Sequence, residues 1–261
     1  MIRDLATGTD TLVPPPRQAG AMTFGARVSW APGGRLYFGV GGVETSEIYD
    51  WPADGSTGGR KLVAGLRARM TAGRQEIYFT RDEKGANRLR RATVGPNGTL
   101  EESEAVFPAN ADPIVPWFDL SPDGQFLAFT DRSRSDRPNI FVTTLPDVRE
   151  RRQVTSNGGS RPRFSGDGKL LWYFSPTAQG GAMRGQFNVV PLTTDALAIG
   201  PPSAILVQDA ADGVSFPMFD VAKDGRLLIT RRADPQPGDE ARVVLMQNWL
   251  AARASKSINR Q

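Results

Sequence analysis

The chain contains neither cysteine nor histidine. Without cysteine there are no disulfides, no thiolate nucleophiles and no cysteine-ligated metal sites. Without histidine, Ser-His-Asp hydrolysis, imidazole general-base chemistry and every histidine-ligated metal centre are excluded. Long apolar runs are also missing, and no stretch approaches the ~18 residues of a membrane span. The opening Met1-Ile2-Arg3-Asp4-Leu5 has no basic segment leading into an apolar run, so no signal peptide is visible. Any catalysis would have to rest on Asp, Glu, Lys, Tyr or Ser, and no Gly-x-Ser-x-Gly elbow occurs.

What the chain does have is turns. Its 261 residues include 28 Gly and 20 Pro against 39% hydrophobic residues, which suits a turn-rich globular protein rather than a disordered one. Five times a strand-like run enters a tight turn and re-emerges as an apolar strand. The turns are Gly33-Gly34, Gly73-Arg74, Asp123-Gly124, Asp167-Gly168 and Asp224-Gly225. In Ser121-Pro122-Asp123-Gly124 proline pre-sets φ, aspartate caps the turn and glycine accepts φ > 0. The hairpins recur at intervals of roughly 40–57 residues, the spacing of propeller blades.

A blade has four antiparallel strands, a to d from the centre outward. The turns join a to b. Strand c is expected at 47–51, 88–92, 139–143, 187–190 and 243–246, and strand d at 61–63, 105–107, 152–155 and 205–207, all rich in β-branched or aromatic residues. Residues 2–12 read as a strand c, a Thr7-Gly8 turn and a strand d, which is available to complete the last blade and close a ring. Thr177–Gln186 reads as the longest flexible b-to-c connection.

The fold class is therefore all-β: a β-propeller of four-stranded antiparallel blades, with five recognisable repeats and a partial N-terminal one. One domain is expected over 1–250, with a partial first blade at 1–20 and repeats at about 21–65, 66–109, 110–157, 158–210 and 211–250. A polar tail occupies 251–261. The half-blade at the start suggests the C-terminal part of a longer reading frame.

Phe118-Asp-Leu-Ser-Pro-Asp-Gly-Gln-Phe-Leu-Ala-Phe129, followed by Asn139-Ile-Phe-Val142 and Arg152-Gln-Val-Thr155, resembles the TolB-like (WD-like) β-propeller repeat of bacteria. Arg161-Pro-Arg-Phe-Ser-Gly-Asp-Gly-Lys169 and Asp4-Leu-Ala-Thr-Gly8 are similar to its other hallmark stretches. The resemblance covers nearly the whole chain, strongly over 110–175 and weakly over 66–109. It implies a six-bladed or larger propeller, commonly extracytoplasmic (periplasmic), that serves as a protein- or ligand-binding scaffold. It implies no general catalytic set and no cofactor.

Strand a carries two alternating sets of side chains. Val28, Trp30, Ala68, Met70, Phe118, Leu120, Pro162, Phe164, Phe219 and Val221 are apolar and expected between blades. Arg27, Arg67, Trp117, Arg161 and Met218, with Ser29, Arg69, Asp119, Arg163 and Asp220 two positions on, alternate with them and are expected to face the channel. The functional reading is a basic funnel at the channel mouth. Arg27, Arg67 and Arg161, beside Trp117, Asp119 and Asp220, would bind an acidic peptide, a protein partner or a small anion. The structural reading is a polar girdle in which Arg69, Arg163, Asp119 and Asp220 pair across blades.

No catalytic or metal residue is assigned, and the chain is read as a non-catalytic scaffold or sensor. Asp82, Glu83, Asp131 and Asp136 lack metal-loop spacing. The net charge of +4, with Arg88, Arg90, Arg91 and Arg149, Arg151, Arg152 interleaved with acids and no nucleic-acid motif, does not point to nucleic acid. The alternative is a carboxylate-based, glycoside-hydrolase-like enzyme, which needs two acids about 5–9.5 Å apart. Asp119 and Asp220 are the channel-facing acids available to it.

Overall fold

The computed structural model describes residues 2–3, 10–11, 28–31, 35–40, 46–52, 54, 56, 59–71, 73–96, 98–101, 103–133, 137–179, 182–193, 197–208, 219–221, 227–229 and 244–246. Among the described residues every regular element is a strand. The chain divides into two compact units, Met1–Pro116 with Asp131–Ser133, and Trp117–Thr130 with Arg134–Gln261.

In the first unit, β1 (Ile2–Arg3) pairs antiparallel with β2 (Asp10–Thr11), the hairpin expected of residues 2–12. The next sheet runs in sequence order through β3 (Val28–Ala31), β4 (Arg35–Val40), β5 (Glu47–Pro52) and β6 (Arg60–Ala64). A second four-stranded sheet is β7 (Arg67–Met70), β8 (Glu76–Glu83), β9 (Ala86–Thr93) and β10 (Glu104–Ala105). Both sheets are blades, ordered a-b-c-d. Tyr37, Ile48, Ala68, Ile77, Phe79 and Ala92 are buried together between them. A blade alone cannot bury its apolar faces, and stacking these two buries the pair of faces that meet.

In the second unit, β11 (Phe118–Leu120), β12 (Phe126–Asp131), β13 (Asn139–Thr144) and β14 (Arg151–Gln153) form one blade. The next holds β15 (Ser160–Phe164), β16 (Leu170–Gln179), β17 (Ala182–Thr193), β18 (Ala198–Ile199) and β19 (Ser203–Gln208), with β18 and β19 pairing different stretches of β17. The last sheet is β20 (Phe219–Val221), β21 (Leu227–Ile229) and β22 (Val244–Met246). Phe126, Ile140, Val142, Phe164, Leu171, Tyr173 and Val190 pack between the first two sheets. Trp172, Phe174, Phe187 and Phe219 pack between the last two, with edge-to-face aromatic contacts at 5.4 and 5.1 Å.

Two of the a–b turns repeat atom for atom. Asp123 Oδ1 accepts from the Ser121 hydroxyl at 2.5 Å and the Gln125 N–H at 3.0 Å, while Ser121 Oγ accepts from the Phe126 N–H at 2.9 Å. Asp167 does the same with Ser165 at 2.6 Å and Lys169 at 3.1 Å, and the Leu170 N–H donates to Ser165 Oγ at 2.9 Å. Gly124 and Gly168 sit at φ 70° and 72°, where only glycine is unstrained. The turn at Gly73 shares the positive φ, at 78°, without the serine–aspartate network. The turns at 33–34 and 224–225 lie outside the described residues.

One expectation is corrected. Thr177–Gln186 is not a loop: β16 and β17 stay paired as far as Gln179↔Ala182, leaving only Gly180 and Gly181 between them. A Gly-Gly pair is a two-residue hairpin signal, and the polar residues around it obscured the alternation of a long ribbon.

Candidate functional site

The inner strands place the proposed site residues. In the first unit Arg67 opens β7 opposite Thr80, with only 9% of its surface exposed. Arg69 follows two positions on, half-buried, and donates to its neighbour's carbonyl at Ala68. Arg27 lies outside the described residues. The second unit holds the other four, and each is described there.

Arg163, on β15, is the centre of that group. Its side chain is 6% exposed and lies 3.9 Å from the Asp119 carboxylate of β11 and 3.5 Å from that of Asp220 on β20. It also donates to the Pro162 carbonyl at 2.8 Å. Asp119 does a second job, accepting the Phe164 N–H at 3.0 Å through Oδ2. Three consecutive inner strands are thus tied through one guanidinium and two carboxylates. Asp119 is nearly buried whereas Asp220 has 68% of its side chain exposed, so the inner ion pair is much less screened than the outer one.

Arg161 differs. Its guanidinium carbon lies 4.3 Å from the centroid of the Trp117 ring, a cation–π stack, and the residue is 5% exposed. Burial, and then the adjacent positive charge of Arg163, push its pKa down to about 10. Its backbone is unusual too, with φ at 60°. The ladder explains why. Phe164↔Leu171 and Arg163↔Trp172 are in the register of the other blades, but the next pair is Ser160↔Phe174. Arg161 and Pro162 therefore share one place on the partner strand, forming a bulge with Arg161 in the left-handed position usually given to glycine. A gapless alignment of strand a equates Arg161 with Arg67 and Trp117. In the ladder the equivalent of Arg67 is Ser160, because Phe174 stands where Thr80 stands. The legible signal for the bulge is Pro162, which has no N–H to give a ladder. Arg163 was legible as a girdle residue, but its bridging role requires Asp119 and Asp220 at the same register in neighbouring repeats.

The remaining charged clusters are engaged elsewhere. Arg90 makes a two-pronged contact with Glu83 at 2.6 Å, Arg91 pairs with Glu104, and Arg88 contacts Asp112. The Arg90 guanidinium holds the Glu83 carboxyl below its usual range, whereas burial raises that of Asp112. Arg149 pairs with Asp147 at 2.8 Å and Arg152 lies 3.8 Å from Glu150. Arg151 stacks on the Phe141 ring at 3.8 Å. Asp82 accepts the Gly85 N–H in its hairpin, and Asp131 accepts from Ser133. Among the described residues no three Asp or Glu side chains converge as a metal site would require, and no helix is long and apolar enough to cross a membrane.

Neither a protein-family model nor a curated protein matches the chain. Solved structures do. TolB from Agrobacterium tumefaciens superposes with a TM-score of 0.56 at 15% identity, over 73% of this chain and 68% of that one. The β-propeller domain of the Trilobed protease from Pyrococcus furiosus, described as having an open velcro topology, gives 0.51 at 10% identity over 85% and 69%. The fold is a TolB-like β-propeller. A GH74 enzyme from Niastella koreensis also matches, with a TM-score of 0.52 at 14% identity, over 78% of this chain and 33% of that one. Enzymes and non-enzymes thus share this propeller architecture. At such identities the likeness carries the fold and no chemistry.

Proposed function

We propose that this propeller is a non-catalytic binding module, and that Arg161 beside Trp117 recognises an acidic group on a protein segment or small ligand. The carrying observation is the paired geometry of two buried arginines on one inner strand. Arg163 is committed to Asp119 and Asp220, and its charge bears on Arg161. Stacking holds the Arg161 guanidinium by its face, and a guanidinium reads a carboxylate by its edge. An incoming anion offsets both the burial and the repulsion that depress the Arg161 pKa. Hydrolysis is less favoured because Asp119 and Asp220, the acids it would use, both neutralise Arg163. The resemblance of the repeats to TolB-like propellers supports an extracytoplasmic location within a larger bacterial protein, which fractionation of the native protein tests.

The binding test is a calorimetric titration of the full chain with hexaglutamate, and in a separate arm with succinate as a small dicarboxylate. Saturable binding that weakens as salt rises, and that falls at least about tenfold in Arg161→Gln, supports the reading. Absence of binding by either probe overturns it.

A further inference from the structure

The outer strands of the blades differ in how they guard their free edges. β6 carries Arg60 and Lys61, β10 is only two residues long and includes Glu104, and β14 is Arg151-Arg152-Gln153, all exposed. Charge and shortness are two of the devices by which native sheets refuse an added strand. β19 has neither. Ser203-Ala204-Ile205-Leu206-Val207-Gln208 is six residues with no charge and no proline, the composition that favours strand recruitment. Its ladder to Gly185–Val189 of β17 occupies one side, and among the described residues no strand pairs with the other. The register steps from Phe187↔Leu206 to Asn188↔Ala204, so Ile205 is an extra residue, and it packs on the cluster containing Phe187 and Phe219. Among the described residues that single bulge is the only protection this edge has, and Ala204 beside it is exposed.

We propose that β19 is a homotypic docking edge, through which two copies of this chain pair antiparallel about a two-fold axis. The charge pattern singles out a second copy. A two-fold centred between Ile205 and Leu206 sets Ser203 opposite Gln208 and Ala204 opposite Val207, so apolar residues meet apolar ones and no like charges meet. The same operation on β6 or β14 brings Arg60 and Lys61, or Arg151 and Arg152, against their own copies. The backbone groups of β19 on the side that no described strand pairs supply the hydrogen bonds. This interface lies on strand d and is independent of the Arg161 reading.

Sedimentation velocity of the full chain across about 1–100 μM, a range spanning ordinary transient dimers, tests it. A concentration-dependent monomer–dimer equilibrium is expected. Ala204→Lys should weaken it by about tenfold or more, since an edge lysine is how sheets reject added strands, while Gln153→Lys on β14 leaves it unchanged. Hydrogen exchange should show Ser203–Gln208 amides gaining protection with concentration in the unsubstituted chain and not in Ala204→Lys. Far-UV circular dichroism confirms folding, and Ala204→Glu substitutes if the lysine variant does not fold. A chain monomeric throughout overturns the proposal, as does a dimer indifferent to both substitutions with β19 amides unprotected. Protection of β19 only by an added uncharged peptide also overturns self-pairing, and makes this edge a site for a foreign strand.

Discussion

The Arg161 guanidinium stacks on the Trp117 ring at 4.3 Å from a backbone position, φ 60°, that an arginine rarely occupies. A left-handed non-glycine residue costs on the order of 1–2 kcal/mol, and such positions persist where surrounding structure holds them. Arg161→Gly and Arg161→Gln both remove the stack, but only glycine relieves the backbone. The glycine variant should therefore be more stable than the glutamine variant by about 1 kcal/mol in urea unfolding. Equal midpoints would mean that the bulge is not strained there.

Arg163 and its two carboxylates predict unequal responses. Arg163→Met leaves Asp119 nearly buried without its cation, which should cost about 3 kcal/mol or more. Asp220→Asn removes an exposed partner and should change stability by less than about 0.5 kcal/mol. Denaturant midpoints decide between this ordering and its reverse. Asp119→Asn added to Arg163→Met should recover part of the loss, because the uncompensated charge goes with it.

Gly124, at φ 70°, follows Asp123 in the a–b turn. Gly124→Val puts a β-branched side chain in the left-handed region and should destabilise the propeller by about 1–3 kcal/mol. An unchanged melting temperature would show that this turn relaxes to another type.

Asp167 carries a pH signature. The Ser165 hydroxyl and then the Lys169 N–H hold its carboxyl below the usual 3.8. A carboxyl depressed on folding adds stability above its unfolded pKa and loses it as pH falls through the lower folded value. Asp167→Asn should thus be less stable than the unsubstituted chain near neutrality, and the gap should close below pH 3.8. A gap independent of pH would assign the loss to turn shape rather than charge.

Much of the fold was legible because turn chemistry is local. Ser121-Pro122-Asp123-Gly124 and Ser165-Gly166-Asp167-Gly168 announce their hairpins within a few residues, and the alternation of Phe118, Leu120 and Phe164 marks the buried side of strand a. Strands c and d followed at nearly the expected places. Less legible was anything set by comparison across strands. The extra residue at Arg161 shows only when both Phe164↔Leu171 and Ser160↔Phe174 are known. The meeting of Asp119, Arg163 and Asp220, on three strands more than 40 residues apart in the chain, was legible by aligning strand a across repeats as the polar girdle, but periodicity within one strand does not report which of them pair. The Thr177–Gln186 ribbon was hidden for a different reason, since glycine and polar residues serve loops and exposed hairpin tips alike.

The most direct test of acidic-ligand recognition reads Trp117 itself. The chain has five tryptophans, so its ¹⁵N–¹H spectrum should resolve five indole signals, with Trp117 assigned through Trp117→Phe. Titration with hexaglutamate should move the Trp117 indole resonance saturably, hexaglutamine should leave it in place, and Arg161→Gln should abolish the shift. A Trp117 signal that stays still while the acidic peptide binds, or one that moves equally with the neutral peptide, would contradict recognition of an acidic group at Arg161.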